Sequence, residues 1–295
     1  MPDRINLDDI NRADKQSFVA ALGDIFEDAP WVAERAFEQR PFVSVGALHD
    51  AMMAVVRSRT KPEQIAFVAG HPDLAGKAAR AGTMAPASVS EQAGLGLDRL
   101  SDDEFARFET MNTAYRARFK FPFVICARRQ TRDAILAAFE RRLANETAAE
   151  LDAALAEIGY ITRLRLADRV EGPGMPLIAG HLSTHVLDTY HGRPAAGVLI
   201  ELFEIGRSGR ALLLTVTTNT EGRTDKPLIG GAPLRAGTYE LVFHIGDYFR
   251  ASGVALTQPP FLDLVPVRFG IAEPEGRYHV PITATPWSYA TYRGS

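Results

Sequence analysis

The sequence contains a single cysteine, Cys126, among its 295 residues. One cysteine excludes a disulfide framework within the chain and is typical of proteins from reducing compartments. Long hydrophobic runs are also missing, since no apolar stretch reaches the roughly 18 to 20 residues that a membrane-spanning helix needs. The first residues, MPDRINLDDINR, are polar and acidic, which does not fit a secretory signal peptide. We therefore expect a cytoplasmic protein.

An excess of positive charge is missing as well. The formal net charge is -3, with 23 basic and 25 acidic residues up to residue 170 and 10 basic and 11 acidic residues after it. Neither part has the positive surplus that nucleic acid or an anionic membrane would attract. We expect neither as a partner. The composition, with 46% hydrophobic and 23% charged residues, is that of an ordinary globular protein of one or two domains.

The two parts of the sequence differ in the period of their hydrophobic residues. From Asn6 to about Arg169 the apolar residues recur at helical spacing among alanine, glutamate and arginine. Beyond the segment EGPGMP the pattern changes to short β-rich runs separated by turn residues, namely VLIELFEI, ALLLTVTTN and TYELVFHI. We predict an all-α domain over residues 1–170, a linker over 171–176 and an all-β sandwich over 177–295.

Two Ser-x-x-Glu sequences, Ser101 to Glu104 and Ser88 to Glu91, are typical of helix N-termini. A serine and a glutamate three residues apart can bond each other's backbone N–H groups in a capping box. For Glu91 this leaves two interpretations open, because the carboxylate can cap a helix, face a ligand, or do both. His71 precedes a proline and should lie at a break between helices, where an imidazole is either structural or faces a pocket.

Three segments of the helical part, HPDLAG from His71, SVSEQ from Ser88 and FKFPFVICA from Phe119, resemble the family of 2-oxo-4-hydroxy-4-carboxy-5-ureidoimidazoline (OHCU) decarboxylases. The resemblance covers most of residues 1–169 and implies an all-helical enzyme without a cofactor. It implies His71 as the catalytic acid and Glu91 as a catalytic residue that contacts the substrate. The further substrate contacts that it implies are Pro72, Ser88, Gln92, Phe123, Val124, Ile125, Cys126, Ala127 and Arg165. One departure is Lys120, where the family more often has glycine.

These residue types suit a decarboxylation. Loss of carbon dioxide from a carbon next to a ring C=N leaves electrons that the ring delocalises, so the protein only positions the substrate and delivers a proton. An imidazole can supply that proton, and an arginine fits the substrate carboxylate in bidentate geometry. From its surroundings in sequence, Cys126 is expected to be a packed residue and not a nucleophile.

In the β-rich part, the segments HLSTHVLDTYHGRPA, TTNTEGRTDKPL and RYHVPITATPWSYATYRGS resemble the 5-hydroxyisourate (HIU) hydrolase family, which has a transthyretin-like fold. This resemblance spans roughly the last 115 residues. It implies a hydrolase site of His185, Arg223, His279 and Tyr292, completed by Arg293, Gly294 and Ser295. The remaining histidines, His181, His191 and His244, are expected to be structural, and Trp287 and Tyr289 to be packing aromatics.

Hydrolysis of a ring amide needs a water made nucleophilic and a donor for the oxyanion that forms. A neutral histidine can take the proton and an arginine can stabilise the charge. Zinc bound by His185 and His279 is the alternative, but no third ligand stands at metal-ligand spacing nearby, and we expect no metal.

The order of the two parts resembles the bifunctional allantoin synthase arrangement, which would convert HIU through OHCU to (S)-allantoin. The alternatives are a transthyretin-like ligand-binding protein with a helical scaffold domain, and a chain in which only one domain is active. The resemblance also implies a homo-oligomer, a dimer or tetramer formed through the β domain, where unpaired edge strands favour association.

Overall fold

The computed structural model describes residues 4–76, 85–97, 99–207 and 209–294. The chain divides into two compact units. Unit 1 comprises Met1–Arg128 and Ile135–Ile178, and unit 2 comprises Arg129–Ala134 and Ala179–Ser295. Helices before residue 170 and strands after it confirm the predicted fold class. No helix within the described ranges is long and apolar enough to cross a membrane.

Most helices of the first part begin where the sequence offers a capping side chain or an initial proline. The helices are α1 Leu7–Arg12, α2 Lys15–Leu22, α3 Pro30–Ala36, α4 Val45–Arg57, α5 Lys61–Ala69, α6 Pro86–Ala93, α7 Asp102–Phe119, α8 Arg132–Arg142 and α9 Thr147–Arg169, with 3-10 turns at Phe37–Gln39 and Ala127–Arg129.

The predicted capping box at Ser101 is confirmed, because its hydroxyl accepts from the Glu104 N–H and the Glu104 carboxylate accepts from the Ser101 N–H. The one predicted at Ser88 is wrong. Helix α6 begins at Pro86, a residue suited to the first helical position. Ser88 and Glu91 therefore lie inside the helix and face other partners.

An aromatic cluster sits at the centre of unit 1 and holds the segment that follows α7. Phe123 stacks on Phe139 with ring centroids 3.9 Å apart, and Tyr115 packs edge-on against both rings. All three side chains are buried. Aromatic contacts of this kind contribute beyond the burial of their area, so the extended segment starting at Phe123 has a fixed position.

The segment predicted as a linker is hydrogen-bonded within unit 1. Short strands β1 Ile5–Asn6 and β2 Val170–Glu171 pair in parallel. Farther along, the carbonyl of Pro173 accepts from the N–H of Val45 at 2.9 Å, which occupies one of the unpaired donors at the start of α4.

Unit 2 is a β-sandwich. Its strands are β3 His181–Ser183, β4 Val186–Asp188, β5 Arg193–Pro194, β6 Leu199–Gly206, β7 Gly209–Thr217, β8 Ile229–Gly230, β9 Gly237–His244, β10 Leu264–Ile271, β11 Arg277–His279, β12 Ile282–Ala284 and β13 Tyr289–Thr291. The three runs predicted as strands form β6, β7 and β9. Residues Ile245–Ala251 form a helix, α10, which was not predicted from the sequence.

The strands form sheets in the orders β10-β9-β6-β7, β13-β12-β4-β5 and β11-β3-β8. Strands β9, β6 and β10 pair antiparallel, while β3 with β11 and β4 with β12 pair in parallel. Side chains from all three sheets, such as Leu202, Leu182 and Ile282, form one common buried core. The parallel pairs bring the ends of β3 and β11 side by side, which matters for the second site.

Candidate active sites

His71 follows the last turn of α5, at a break between helices as predicted. Its Nδ1 lies 3.3 Å from the carbonyl oxygen of Phe67, and the Phe67 ring packs edge-on against the imidazole. A carbonyl oxygen only accepts, so Nδ1 carries a hydrogen and Nε2 is the atom that exchanges a proton. Burial lowers the pKa of His71, the negative charge of Glu27 opposes this, and the positive charge of Arg165 adds to it.

Arg165, on α9, is the centre of a buried network of charges. Its Nε and Nη2 donate to the two oxygens of Glu91 at 3.0 and 2.9 Å, a bidentate pair. Its Nη1 donates to Glu27 at 3.0 Å and to the carbonyl of Ile25 at 3.5 Å, and Nη2 also donates to the hydroxyl of Ser88 at 3.1 Å. These five contacts account for the five N–H groups of the guanidinium.

The carboxylate of Glu91 therefore pairs with an arginine and caps no helix. Burial opposes the charge on Arg165, but the hydrogen bonds and charges of Glu91 and Glu27 raise its pKa above the ordinary value. The Ser88 hydroxyl donates to Glu27 at 2.8 Å and so closes the network. Ser88 and Glu91 on α6 are thereby held by Arg165, which is 74 residues from Glu91 in the sequence.

The extended segment from Phe123 to Ala127 borders the same space, and two of its backbone groups have protein partners. The carbonyl of Val124 accepts from Arg142 at 2.8 Å, and the N–H of Cys126 donates to Glu157 at 2.8 Å. Cys126 is a buried, packed residue, in agreement with the prediction. These bonds fix the segment from both sides.

Two further contacts fix the loop after His71. The side-chain oxygen of Gln92 accepts from the N–H of Ala75 at 2.8 Å, and Asp73 pairs with Arg116 at 2.7 Å. Lys120 adopts the left-handed conformation with φ 68° as the C-cap of α7. Glycine takes this conformation without strain, which explains the family's preference at this position.

His71, Glu91, Arg165 and most of the segment from Phe123 to Ala127 line one cavity in unit 1. The structure brings nearly every predicted residue of this site to it, with the exception of Cys126: the lining includes His71, Pro72, Ser88, Glu91, Gln92, Phe123, Val124, Ile125, Ala127 and Arg165. Five further residues line the cavity and were not predicted: Glu27, Leu74, Ile158, Ile161 and Thr162. The helical spacing of the last three with Arg165 was the available signal; no local pattern marked Glu27.

In unit 2, His185 lies just before β4 and forms an antiparallel backbone bridge with Arg223. A tight turn makes this possible. The side-chain oxygen of Asn219 accepts from the N–H of Arg223 at 3.2 Å, and Gly222 has φ 69°. A Cβ on Gly222 would lie 2.3 Å from the carbonyl oxygen of Val186, so no larger residue fits without moving this strand.

His279 lies at the end of β11, opposite Ser183 on the neighbouring strand β3. Its Nδ1 is 3.0 Å from the hydroxyl of Ser183 on the neighbouring β3. Its carbonyl accepts from the N–H of Gly294 at 2.8 Å, so the C-terminal residues run alongside it. Ser183 was not among the predicted site residues, although it lies in the segment that carries the resemblance.

The C-terminal residues Tyr292 and Arg293 differ in how closely they contact the rest of unit 2. Tyr292 is 61% exposed, and the Arg293 guanidinium lies over the ring of Tyr278 at 4.6 Å. Ser295, which was predicted to complete the site, lies outside the described residues. Trp287 and Tyr289 are partly exposed, and the Trp287 ring packs edge-on against Tyr190 with centroids 5.6 Å apart. The packing role expected for Tyr289 stays a prediction.

Burial first, and then the positive charge of Arg223, lowers the pKa of both His185 and His279. Both imidazoles are therefore neutral at neutral pH and able to accept a proton. The buried Nε2 of His185 has no hydrogen-bond partner within the protein. A buried nitrogen of this kind needs a partner from water or a ligand. Two neutral histidines beside an arginine can thus activate a water and stabilise an oxyanion.

Of the other histidines, His191 bonds Asp188 at 2.6 Å and His244 bonds Glu201 at 3.1 Å, which fits the structural roles expected for them. Among the described residues, no group of three or more histidine, cysteine, aspartate or glutamate side chains is arranged to hold a metal ion.

Comparisons with known families divide the chain in the same way. A family model described as OHCU decarboxylase matches residues 11–167, and one described as the HIUase/Transthyretin family matches residues 182–294. All the residues that line the first site lie within the first match, and the described residues of the second site lie within the second match.

Individual proteins resemble each part or the whole chain. The 5-hydroxyisourate hydrolase 2 of Rhizobium meliloti is 56% identical over 117 residues, which are 40% of this chain and 98% of that protein. The 2-oxo-4-hydroxy-4-carboxy-5-ureidoimidazoline decarboxylase of Haloferax volcanii is 42% identical over 165 residues, 56% of this chain and 96% of that protein. A crystal structure of (S)-allantoin synthase has 32% identity and a TM-score of 0.55, covering 99% of this chain and 100% of that one.

Proposed function

The chain belongs to the OHCU decarboxylase family over residues 11–167 and to the HIUase/Transthyretin family over residues 182–294, and on this premise we propose that it catalyses two consecutive steps of urate degradation. Unit 2 hydrolyses HIU to OHCU, and unit 1 decarboxylates OHCU to (S)-allantoin. The observation that carries the proposal is a candidate site inside each family match, in a chain similar over its length to an (S)-allantoin synthase.

In the hydrolase step, water adds to a ring carbonyl carbon and the ring C–N bond breaks. One of the two neutral histidines, His185 or His279, takes a proton from the water while the water oxygen forms the new C–O bond. Arg223 stabilises the negative oxygen of the tetrahedral intermediate, and the proton passes to the departing ring nitrogen. Tyr292 and Arg293 contact the substrate from the tail, and Gly294 and Ser295 complete the pocket. The pairing of His279 with Gly294 supports this role for the C-terminal residues.

In the decarboxylation step, the C–C bond to the carboxylate breaks and its electron pair stays in the ring. Protonated His71 then delivers a proton from Nε2 to one face of the carbanion, which makes the product a single enantiomer. Gln92, Pro72, Ser88 and the segment from Phe123 to Ala127 hold the substrate. Glu91 orients the substrate through its position on the Arg165 guanidinium.

Arg165 lines the cavity, but its N–H groups are bonded to Glu91, Glu27, Ser88 and the Ile25 carbonyl, so it holds the substrate through the positions of Glu91 and Ser88. The negative charge of the carboxylate passes to the ring when carbon dioxide leaves, and the proton from His71 then neutralises it. No step in this scheme requires an electron sink from a cofactor, and the residues named supply the proton and the positioning.

We further propose that the catalytic parts extend over residues 1–170 and 177–295, and that the chain assembles as a dimer or tetramer through unit 2. Exposed leucines on β7, Leu212 and Leu213, and the unpaired edges of β7 and β10 support such an association. A cytoplasmic location is proposed as well, and it is supported by a single cysteine that lies buried as a free thiol.

The test is to add the protein to urate freshly oxidised by urate oxidase and to follow absorbance and optical rotation together. The expected result is accelerated loss of HIU, then accelerated loss of OHCU, with optically active allantoin as the product. Acceleration of only the first or only the second decay would mean that one unit is active. A protein that binds the compounds and accelerates neither decay would establish a ligand-binding protein and overturn the proposal.

A further inference from the structure

Glu27 is a buried carboxylate that the scheme above does not use. It lies in the turn between α2 and α3, and its side chain is only 4% exposed. Its Oε2 accepts from Arg165 Nη1 at 3.0 Å and from the Ser88 hydroxyl at 2.8 Å. Burying a carboxylate costs free energy. Because Glu27 lines the cavity, we expect it to have a role in the reaction that takes place there.

The charged groups in the cavity wall do not balance one another. Glu27 and Glu91 are two carboxylates that share one guanidinium, Arg165, so the three together carry one surplus negative charge. A protonated His71 would balance this charge. The charged groups that line the same cavity as His71 are Glu27 from its turn, Glu91 from α6 and Arg165 from α9, and the carbonyl of Phe67 bonds its Nδ1.

We infer that Glu27 is a positioning residue of the decarboxylation site, which fixes Arg165 and Ser88 and supplies the negative charge that keeps His71 in its proton-donating form. This inference rests on the proposed function. Without Glu27, one N–H of Arg165 loses its carboxylate partner, and the hydroxyl of Ser88 loses its acceptor. Arg165 would then be held only by Glu91, Ser88 and the more distant Ile25 carbonyl, so the position of Glu91 would be less firmly fixed.

The electrostatic part of the inference has a defined sign. Burial lowers the pKa of His71 and the charge of Glu27 opposes this, so Glu27→Gln lowers the pKa further. An acid catalyst works below its pKa and loses activity as the pH rises through it. The alkaline limb of the kcat profile should therefore move to lower pH, by about one unit for the loss of a nearby opposite charge.

The experiment measures kcat for OHCU across the pH range in wild type, Glu27→Gln, Glu27→Asp and Asp24→Asn, with OHCU supplied by a separate hydrolase. Asp24 is the matched control, because it pairs at 2.9 Å with Arg169, one helical turn beyond Arg165, and both side chains are exposed outside the cavity. Thermal unfolding of each variant is recorded in parallel.

For Glu27→Gln we expect kcat about tenfold lower on the alkaline side and a limb shifted to lower pH, with Asp24→Asn unchanged in both. Glu27→Asp keeps the negative charge on a shorter side chain that reaches Arg165 and Ser88 less well. The alkaline limb of its kcat profile should therefore stay in place while kcat falls. A folded Glu27→Gln variant with the wild-type limb would overturn the inference. If that variant does not fold, Glu27→Asp decides, and a wild-type kcat for it would count against Glu27.

The proposed function fails separately. If the wild-type chain and Asp24→Asn do not accelerate the decay of OHCU, the decarboxylase assignment itself is wrong. An active wild type with an unaffected Glu27→Gln variant leaves that assignment in place and removes only the role of Glu27.

Discussion

Replacing Gly294 by alanine should damage the hydrolase site by steric displacement. An added Cβ would lie 2.6 Å from Cδ2 of the His279 ring and 3.2 Å from its Cβ and Cγ. Carbon atoms pack at about 3.5 to 4.0 Å, so the ring or the tail must move by about 1 Å. The backbone of Gly294 is outside the left-handed region, and the expected effect is therefore purely a contact effect.

Both partners in this contact are held in place. The ring of His279 bonds Ser183 at 3.0 Å, and the N–H of Gly294 bonds the His279 carbonyl at 2.8 Å. A misplacement of about 1 Å in a catalytic group costs about 100-fold in rate. We therefore expect kcat/KM for HIU to fall about 100-fold in Gly294→Ala, equivalent to about 2.7 kcal/mol of transition-state stabilisation.

The assay follows the loss of HIU by absorbance immediately after urate oxidation. Gly270→Ala in β10 is the matched control, because an added Cβ there meets nothing within 4 Å. Its hydrolase rate should equal that of wild type, and both variants should decarboxylate OHCU normally. A folded Gly294→Ala variant that hydrolyses HIU at the wild-type rate would refute the assignment of His279 and of the tail to this site.

Three further outcomes are expected. His71→Asn should leave the loss of HIU unchanged and slow the formation of optically active allantoin by about 100-fold or more, as measured by optical rotation; rapid formation would show that another group donates the proton. Both activities should survive exhaustive dialysis against a strong chelator, and a loss reversed by zinc would instead make His185 and His279 metal ligands. Because burial and the charge of Arg223 lower the pKa of both these histidines from the ordinary 6.5, the acid limb of the hydrolase pH profile should lie below pH 6.5. A limb at or above that value would contradict the neutral-imidazole mechanism.

Helix caps were predicted correctly from the sequence where both partners of the cap are near each other in the chain and no other residue competes for them. The capping box at Ser101 formed as predicted because its partners are three residues apart. The same pattern at Ser88 formed no cap, because Pro86 starts the helix earlier and the Glu91 carboxylate is drawn to Arg165. Lys120 departs from the usual glycine, and its left-handed backbone shows what that glycine would have relieved.

For the candidate sites, the segments that carry the family resemblance located His71, Glu91, His185 and His279 but not the groups that support them. Glu27 stands in a turn without a periodic pattern, and nothing near it in sequence distinguishes it from a surface acid. Its burial appears only when α9 brings Arg165 against it from 138 residues away.

The sequence by itself determined the division into a helical and a β-rich part, because hydrophobic periods of 3.6 and 2 residues follow from local backbone geometry. It also determined which segments carry the chemistry, through their resemblance to two families. The tertiary structure alone decided which charges share a cavity. Ser183 meets His279 across 96 residues, and such pairs depend on how strands and helices pack, which no local pattern encodes.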